Sequence, residues 1–303
     1  MTILSARKTQ TSVQQHPDVI PAPIHHVRRR WSARIILGSI IVGGTVVIAI
    51  LAPWLAPFDP VASNLGSMLQ APDLFSSHPF GTDELGRDIY SRVLHGATPV
   101  ITVAGLATIF ALLVGTALGI LAGFLGNWFD QILGRLADIQ LSIPGLILAL
   151  LALSLYGASL RNLIIVLTIE AWPFYYRVTR SYTQNARSQA YVEAAWLAGV
   201  SFPTRVRNHI LPGLAPTLLV SSTISFSWIV LTAAGLSFLG LGVQPSAPDW
   251  GLMIAIGQSQ LGSSWWLAII PAIALVIFVV GVQLLGDALS DRFRVSTREG
   301  GLS

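Results

Sequence analysis

The sequence predicts an all-α membrane protein with six transmembrane helices, and three observations lead to this fold class. Hydrophobic residues make up 53% of the 303-residue chain and charged residues only 11%, whereas charged residues usually make up about a quarter of a soluble domain. Mean hydropathy is +0.67, so the chain needs lipid as its solvent. The apolar residues form six long runs, and a run of about 20 apolar residues can cross the hydrocarbon core as a helix.

The first apolar run begins well inside the chain. Residues 1–34 are polar and end in the basic cluster Arg28–Arg30, which predicts a disordered cytoplasmic tail. The run at 35–57 starts too late for a secretory signal and lacks a small-residue cleavage site, so we predict an uncleaved first transmembrane helix. Residues 58–96 are polar and should lie outside, with an interfacial helix that begins at Ile89.

Five further runs complete the predicted topology, at 99–125, 131–156, 162–176, 214–243 and 266–285. Gly115 and Gly119 form a small-xxx-small pair, which favours close helix packing in lipid. Pro144 should kink the third span. With the N-terminus inside, most of the 18 Lys and Arg residues fall on the cytoplasmic side, together with a tail at 289–303, as the positive-inside rule requires.

A polar loop at 183–213 separates the fourth and fifth spans. Apolar residues recur at helical spacing from Val192 to Val200, which predicts a short amphipathic helix that ends near Gly199. Ser201 is placed to cap a second short helix, which Pro212 should end. Soluble helix-turn-helix units bind DNA, but a duplex cannot reach a loop held between membrane spans, so no nucleic-acid partner is predicted.

Residues that the chain lacks exclude several activities. There is no cysteine, and the one lysine, Lys8, lies in the N-terminal tail, so no Gly-Lys-Ser/Thr loop exists to hold nucleotide phosphates. No His-Glu-x-x-His or Gly-x-Ser-x-Gly motif occurs. We therefore predict no enzyme activity, metal site or cofactor on this chain. A secondary transporter is the alternative, but it needs coupling-ion sites and paired broken helices, and only Asp138 and Glu170 are predicted as carboxylates within the membrane.

The loop and two outer segments resemble a known family. Glu193-Ala194-Ala195, followed by Gly199 and by His209-Ile210-Leu211-Pro212, resembles the EAA loop of the permease subunits of ATP-binding-cassette importers. Two outer segments resemble the dipeptide, oligopeptide and nickel importer subfamily. The matching outer residues are Gly81, Thr82, Asp83, Gly86, Arg87, Asp88, Pro248, Trp250 and Gly251. The resemblance implies a type I, MetI-like permease core at 97–288.

The resemblance also implies partners and a location. We expect a second, homologous permease subunit in a heterodimer, two ATPase subunits or one fused pair that bind ATP and Mg, and an extracytoplasmic binding protein. The expected substrates are di- or oligopeptides, with nickel complexes, glutathione or another small solute as alternatives. The expected location is the bacterial cytoplasmic (inner) membrane, with both termini in the cytoplasm.

Roles for the loop residues follow from the same resemblance. Glu193 would contact a groove on the ATPase, and Gly199 would make a turn in which a side chain clashes. Ala194, Ala195 and Trp196 would form the packed face, with His209 and Pro212 completing the motif. Arg205 and Arg207 would either pair with ATPase carboxylates or face water and lipid headgroups.

Two residues are candidates for the translocation path. Glu170 lies within a predicted span, where an ionisable side chain costs a few kcal/mol or more. It would either line the path or meet a partner in the sister subunit. Ser237 lies among glycines near the outer end of the fifth span and is the second candidate.

Overall fold

The computed structural model describes residues 33–242 and 247–299, so the predicted N-terminal tail with Arg28–Arg30 lies outside the described residues. All regular structure in the described ranges is helical, which confirms the predicted fold class. The helices are α1 Ala33–Leu55, α2 Ile89–Leu125, α3 Asn127–Ser142, α4 Gly145–Tyr156, α5 Leu160–Arg187, α6 Ala190–Leu197, α7 Phe202–Arg205, α8 Leu211–Phe238, α9 Trp250–Gln258 and α10 Trp266–Glu299.

Four of the described helical stretches are long and apolar enough to cross a membrane. They are α1, α2, the stretch from Phe202 through α8, and α10 as far as Arg292, and a fifth is added if α3 and α4 count as one broken span. The 28-residue α5 is not among them, because its second half carries Arg177, Arg180 and Arg187. The predicted six spans are therefore reached only when α3–α4 and α5 are both counted.

The N-terminal part of α2 differs from the prediction. The expected separate interfacial helix at Ile89 is wrong, because α2 is one helix of 37 residues that runs through Pro99. Its first turns are buried against protein, with Arg92 only 1% exposed, so they have no free face to lay on lipid. A helix of this length spans about 55 Å at 1.5 Å per residue, more than a hydrocarbon core of about 30 Å, and part of it must extend beyond the core.

Pro144 breaks the predicted third span instead of kinking it. The residue before a proline is restricted to extended backbone, and Ile143 has φ −96° and ψ 128°. The helix therefore stops at Ser142 and restarts as α4, bent from α3 by 88°.

Glycines allow α2 and α5 to pack with their backbones close together. A Cβ atom added at Gly115 would lie 2.6 Å from the carbonyl oxygen of Trp172, and one added at Gly119 would lie 2.7 Å from Cβ of Thr179. The predicted close packing through this glycine pair is confirmed. Gly119 follows Gly115 along α2, and its contact Thr179 follows Trp172 along α5. The two helices therefore run parallel.

The loop between α5 and α8 lies on the same side of the bundle as the start of α1. An ion pair of 3.7 Å joins Arg34 to Asp291 of α10. The chain crosses through α1 and returns through α2, and the carbonyl oxygen of Phe124, at the end of α2, accepts a 2.9 Å hydrogen bond from Arg187. We call the side that holds these contacts the inner side.

Candidate coupling loop and outer network

The helix α6 ends at Gly199 through backbone hydrogen bonds, as predicted. Gly199 has φ +76°, and its N–H donates to the carbonyl of Trp196 at 3.0 Å, while the N–H of Val200 donates to Ala195 at 3.0 Å. These two bonds form a Schellman motif. The predicted side-chain clash is not found among residues 33–242 and 247–299, because an added Cβ at Gly199 would meet none of their atoms within 4 Å. Glycine is favoured here by its left-handed backbone.

The predicted packed face of α6 is divided in the structure. Val192 and Ala195, three residues apart, are buried, whereas Glu193 and Ala194 are exposed. Trp196 and its neighbour Leu197 are also exposed, at 60% and 76%. An eight-residue helix buries only one narrow stripe, and residues beside that stripe point away from the bundle. The result is an apolar surface of Trp196 and Leu197 with a carboxylate beside it.

The second helix of the loop does not end at Pro212, so that prediction is wrong. After α7, one wide turn at Val206–Ile210 has the N–H of Leu211 donating to the carbonyl of Val206, and α8 follows directly. A proline lacks an N–H and its ring clashes with the carbonyl four residues earlier in a regular helix. The wide π-type turn accommodates the ring, so the loop continues without a break into α8.

The basic residues of the loop have different surroundings. The Arg205 guanidinium carbon lies 5.8 Å from the centre of the Phe124 ring, a cation–π contact within the chain. Arg207 is exposed, and both alternatives predicted for it stay predictions. The His209 ring lies 6.1 Å from that of Tyr191, so it helps to join the start of α6 to the wide turn.

The first outer motif forms a hydrogen-bonded clamp around the start of α2. Asp83 accepts the backbone N–H groups of Leu85 and Arg87, each at 2.9 Å, and Nε of Arg87 at 2.7 Å. Thr82 donates its N–H to the carbonyl of Gln70 at 3.1 Å. Asp88 caps α2 by accepting the N–H of Ser91 at 2.8 Å. Nε of Arg92 in α2 also lies 3.8 Å from the Asp83 carboxylate, so the motif holds the 58–88 segment to α2 through this buried ion pair and the Asp88 cap.

Residues that sequence reasoning did not assign complete this clamp. Nδ1 of His78 lies 3.0 Å from the Asp88 carboxylate, and Nη1 of Arg92 donates to the carbonyl of Pro60 at 2.7 Å. The indole of Trp266 donates to the carbonyl of Thr82 at 3.2 Å. His78 and Arg92 could have been found from the sequence, because they flank the motif. The contact with Trp266 could not, because it joins distant parts of the chain.

The second outer motif joins α9 to α2 and α8. The indole of Trp250 donates to the carbonyl of Val93 at 2.9 Å, and a Cβ at Gly251 would overlap the carbonyl oxygen of Ala234. Pro248, just ahead of α9, is partly buried. Ser237 is buried, and its hydroxyl hydrogen-bonds the carboxylate of Asp249. The structure thus places this path candidate at the contact between α8 and α9.

Asp249 provides a test of this outer packing. Its carboxylate accepts the N–H of Leu252 at 3.0 Å as the cap of α9, and burial raises its pKa above the ordinary 3.8. The folded state then holds the proton to higher pH than the unfolded chain, so the stability linked to this group falls as pH rises above 3.8.

We expect Asp249→Asn to weaken the fall in thermal midpoint between pH 4 and pH 8, because asparagine also caps helices but carries no charge. Asp249→Ala should lose the cap at both pH values, at a cost of about 1 kcal/mol. Thermal unfolding of the purified chain in detergent measures both. An identical pH dependence in the wild type and the Asn variant would show that the carboxyl group does not titrate in this way.

Glu170 lies where α4, α5 and α8 meet. A Cβ added at Gly145 would overlap its carboxylate, and the indole of Trp228 supplies a nearby donor. Its Oε2 atom has no hydrogen-bond partner among residues 33–242 and 247–299. Ser237 lies nearer the outer end of α8, so the two path candidates are not brought together. The alternatives for Glu170, path lining or contact with a sister subunit, stay predictions.

Comparisons with known proteins agree with this architecture. Residues 115–295 match the family described as binding-protein-dependent transport system inner membrane component, and residues 32–72 match the N-terminal TM domain of oligopeptide transport permease C. The dipeptide transport system permease protein DppC of Alkalihalophilus pseudofirmus is 35% identical over 84% of each chain.

A second relative and a solved structure are also similar to this chain. The glutathione transport system permease protein GsiD of Escherichia coli is 35% identical over 91% of each chain. A structure of the MetNI methionine ABC transporter, in an inward-facing conformation, aligns with a TM-score of 0.52 and 22% identity over 66% of this chain and 94% of that one. At that identity the likeness shows the fold alone.

Proposed function

The chain belongs to the family of binding-protein-dependent transport system inner membrane components, and from this premise we propose that it couples ATP hydrolysis on partner subunits to peptide import. The family is that of membrane permease components of ATP-binding-cassette importers. The proposal adds that the α6–α7 loop docks on an ATPase, that ATP and Mg bind there, and that a second permease and a binding protein complete the importer.

The observation that carries the coupling proposal is the exposed apolar surface on α6. Trp196 and Leu197 project away from the bundle, although they belong to a helix that is anchored from beneath by Val192 and Ala195. Large apolar side chains beside a carboxylate suit a docking contact, where buried aromatic residues supply most of the binding energy. Because the backbone continues from α7 into α8, movement of the docked loop would be carried into the membrane.

The orientation of the chain supports the same proposal. Arg34 and Asp291 lie on the same side as the loop, and most basic residues within the described ranges 33–242 and 247–299 are near that side. By the positive-inside rule, this distribution supports a cytoplasmic location for the loop and both ends of the described chain, where an ATPase would be available.

Peptides are the proposed substrate class. Relatives of comparable identity are named for dipeptide and for glutathione transport, and glutathione is itself a small peptide. Nickel complexes and other small solutes are the alternatives.

The double variant Trp196→Ser, Leu197→Ser tests the coupling surface. We expect it to lose at least 2 kcal/mol of ATPase binding, roughly a thirtyfold loss of affinity, because truncating a buried interface tryptophan typically costs that much. ATPase retention on the purified full chain measures binding, and ATP-driven uptake of a labelled dipeptide into cells that also contain the partner subunits measures transport. Both should fall, while the amount of chain in the membrane is unchanged.

The matched control is Leu74→Ser, Phe75→Ser. These two side chains are also highly exposed, and they lie in the outer segment, so the control removes similar apolar area from the opposite side. Retention of the ATPase by the loop variant at the level of the control would contradict the coupling proposal. Retention by the wild type without uptake of any dipeptide would contradict only the substrate.

A further inference from the structure

A polar cavity of about 340 Å³ lies between α3 and α5, apart from the coupling loop and the outer clamp. Its charged wall consists of three arginines and two aspartates, which are Arg135, Arg177, Arg180, Asp130 and Asp138. The cavity is on the inner side, because α3 starts immediately after the end of α2.

The charges around the cavity are not balanced. Two guanidinium nitrogens of Arg180 bond to the largely buried Asp130, one of them at 2.5 Å. Arg177 lies 2.5 Å from Asp138, but these side chains are 54% and 68% exposed, and exposed pairs contribute little stability. Arg135 has no ion-pair partner in the described part of the chain. One positive charge is therefore unmatched, and a second is held only by an exposed pair.

An exposed apolar stripe runs along α3 beside the cavity. Trp128, Ile132, Leu136 and Ile139 are each more than half exposed, and their spacing of four, four and three residues places them on one face of the helix. The opposite side of α3 faces the bundle, where Ala137 is fully buried and Asp130 accepts a hydrogen bond from Arg180 of α5 at 2.5 Å. A ligand for this region thus meets cationic groups and an apolar surface side by side.

We propose that this cavity binds the phosphate of an anionic phospholipid from the inner leaflet. Arg135 and Arg177 would hold the phosphate, and the acyl chains would lie along the α3 stripe. Basic pockets between transmembrane helices on the cytoplasmic side suit such headgroups. The carboxylate of Asp138 repels the anionic phosphate, so it lowers the affinity of the cavity for the lipid. This inference rests on the orientation proposed above and makes no use of the coupling loop.

The test titrates the purified full chain in neutral detergent with phosphatidylglycerol, phosphatidylcholine or inorganic phosphate, and counts bound molecules by native mass spectrometry. We expect phosphatidylglycerol to bind about fivefold or more tightly than phosphatidylcholine, since each arginine near the headgroup contributes about 1 kcal/mol. Arg135→Gln should reduce this preference about fivefold, and Arg135→Lys should keep most of it. Asp138→Asn should increase it.

Arg161→Gln is the matched control, because it removes the same charge from an exposed residue at the opposite, outer end of α5. Equal binding of the two lipids by the wild type would overturn the inference, as would an equal loss in the Arg135→Gln and Arg161→Gln variants. Binding of inorganic phosphate without any lipid preference would show that the cavity takes the free anion. A gain in the Asp138→Asn variant supports the inference even if Arg135→Gln folds poorly.

Discussion

The variant Gly199→Val should abolish ATP-driven uptake while the chain still accumulates in the membrane. Gly199 has φ +76°, and a left-handed backbone costs a residue with a side chain about 1–2 kcal/mol, with β-branched residues among the worst placed there. Only Val192 and Ala195 of the eight-residue α6 are buried. We therefore expect its last turn to unwind, which displaces Trp196 and Leu197 without unfolding the membrane helices.

Gly199→Asn separates backbone strain from loss of space. Asparagine adopts the left-handed conformation far more readily than valine, and a Cβ at Gly199 would meet nothing within 4 Å among the described residues. Uptake by the Asn variant should therefore stay within a few-fold of wild type, as measured with labelled dipeptide in membrane vesicles that contain all partner subunits. Normal uptake by the Val variant would refute the requirement for this turn.

Gly86→Ala is expected to have the largest effect on folding. Gly86 has φ +68°, and an added Cβ would overlap the carbonyl oxygen of Asn64, which belongs to the backbone and cannot rotate away. Strain and overpacking together cost about 2–5 kcal/mol. The clamp around the start of α2 should open, so the chain should be recovered in lower yield and unfold at a clearly lower temperature in detergent.

Gly66→Ala is the control within the same segment. A Cβ at Gly66 would come no closer than 3.3 Å to the flexible side chain of Asn64, so we expect a small change in the thermal midpoint. Limited proteolysis of the 58–88 segment gives a second readout. If the two variants have the same midpoint and the same cleavage pattern, the clamp does not depend on the conformation of Gly86.

Features that depend on a few neighbouring residues were predictable from the sequence. The end of α6 at Gly199 and the interruption at Pro144 both follow from local backbone rules. The 88° bend at Pro144 was not predictable, because the bend angle depends on how α3 and α4 pack on α5. The wide turn that lets α8 continue through Pro212 was missed for a similar reason. The sequence shows where the proline is, but not the backbone conformation that accommodates its ring.

Features that depend on distant residues were not predictable. The amphipathic pattern after Ile89 suggested a helix lying on lipid, but its first turns are covered by protein, and one of the covering contacts is made by Trp250. The outer motif was found by resemblance, yet the role of Asp83 became clear only when its backbone and side-chain donors were in place. On α6, helical spacing predicted an apolar face, but not that Trp196 would be left outside the bundle.

The polar composition of α5 bears on how the chain enters the bilayer during synthesis. Alone, α5 would carry Glu170 into hydrocarbon at a cost of a few kcal/mol, with Arg177 and Arg180 following near the inner boundary. In the folded chain, α3 supplies the aspartates that pair with the two arginines, and α2 supplies the glycine surface against which α5 lies. Both helices precede α5 in the chain, so a growing polypeptide presents these sheltering surfaces before α5 leaves the ribosome.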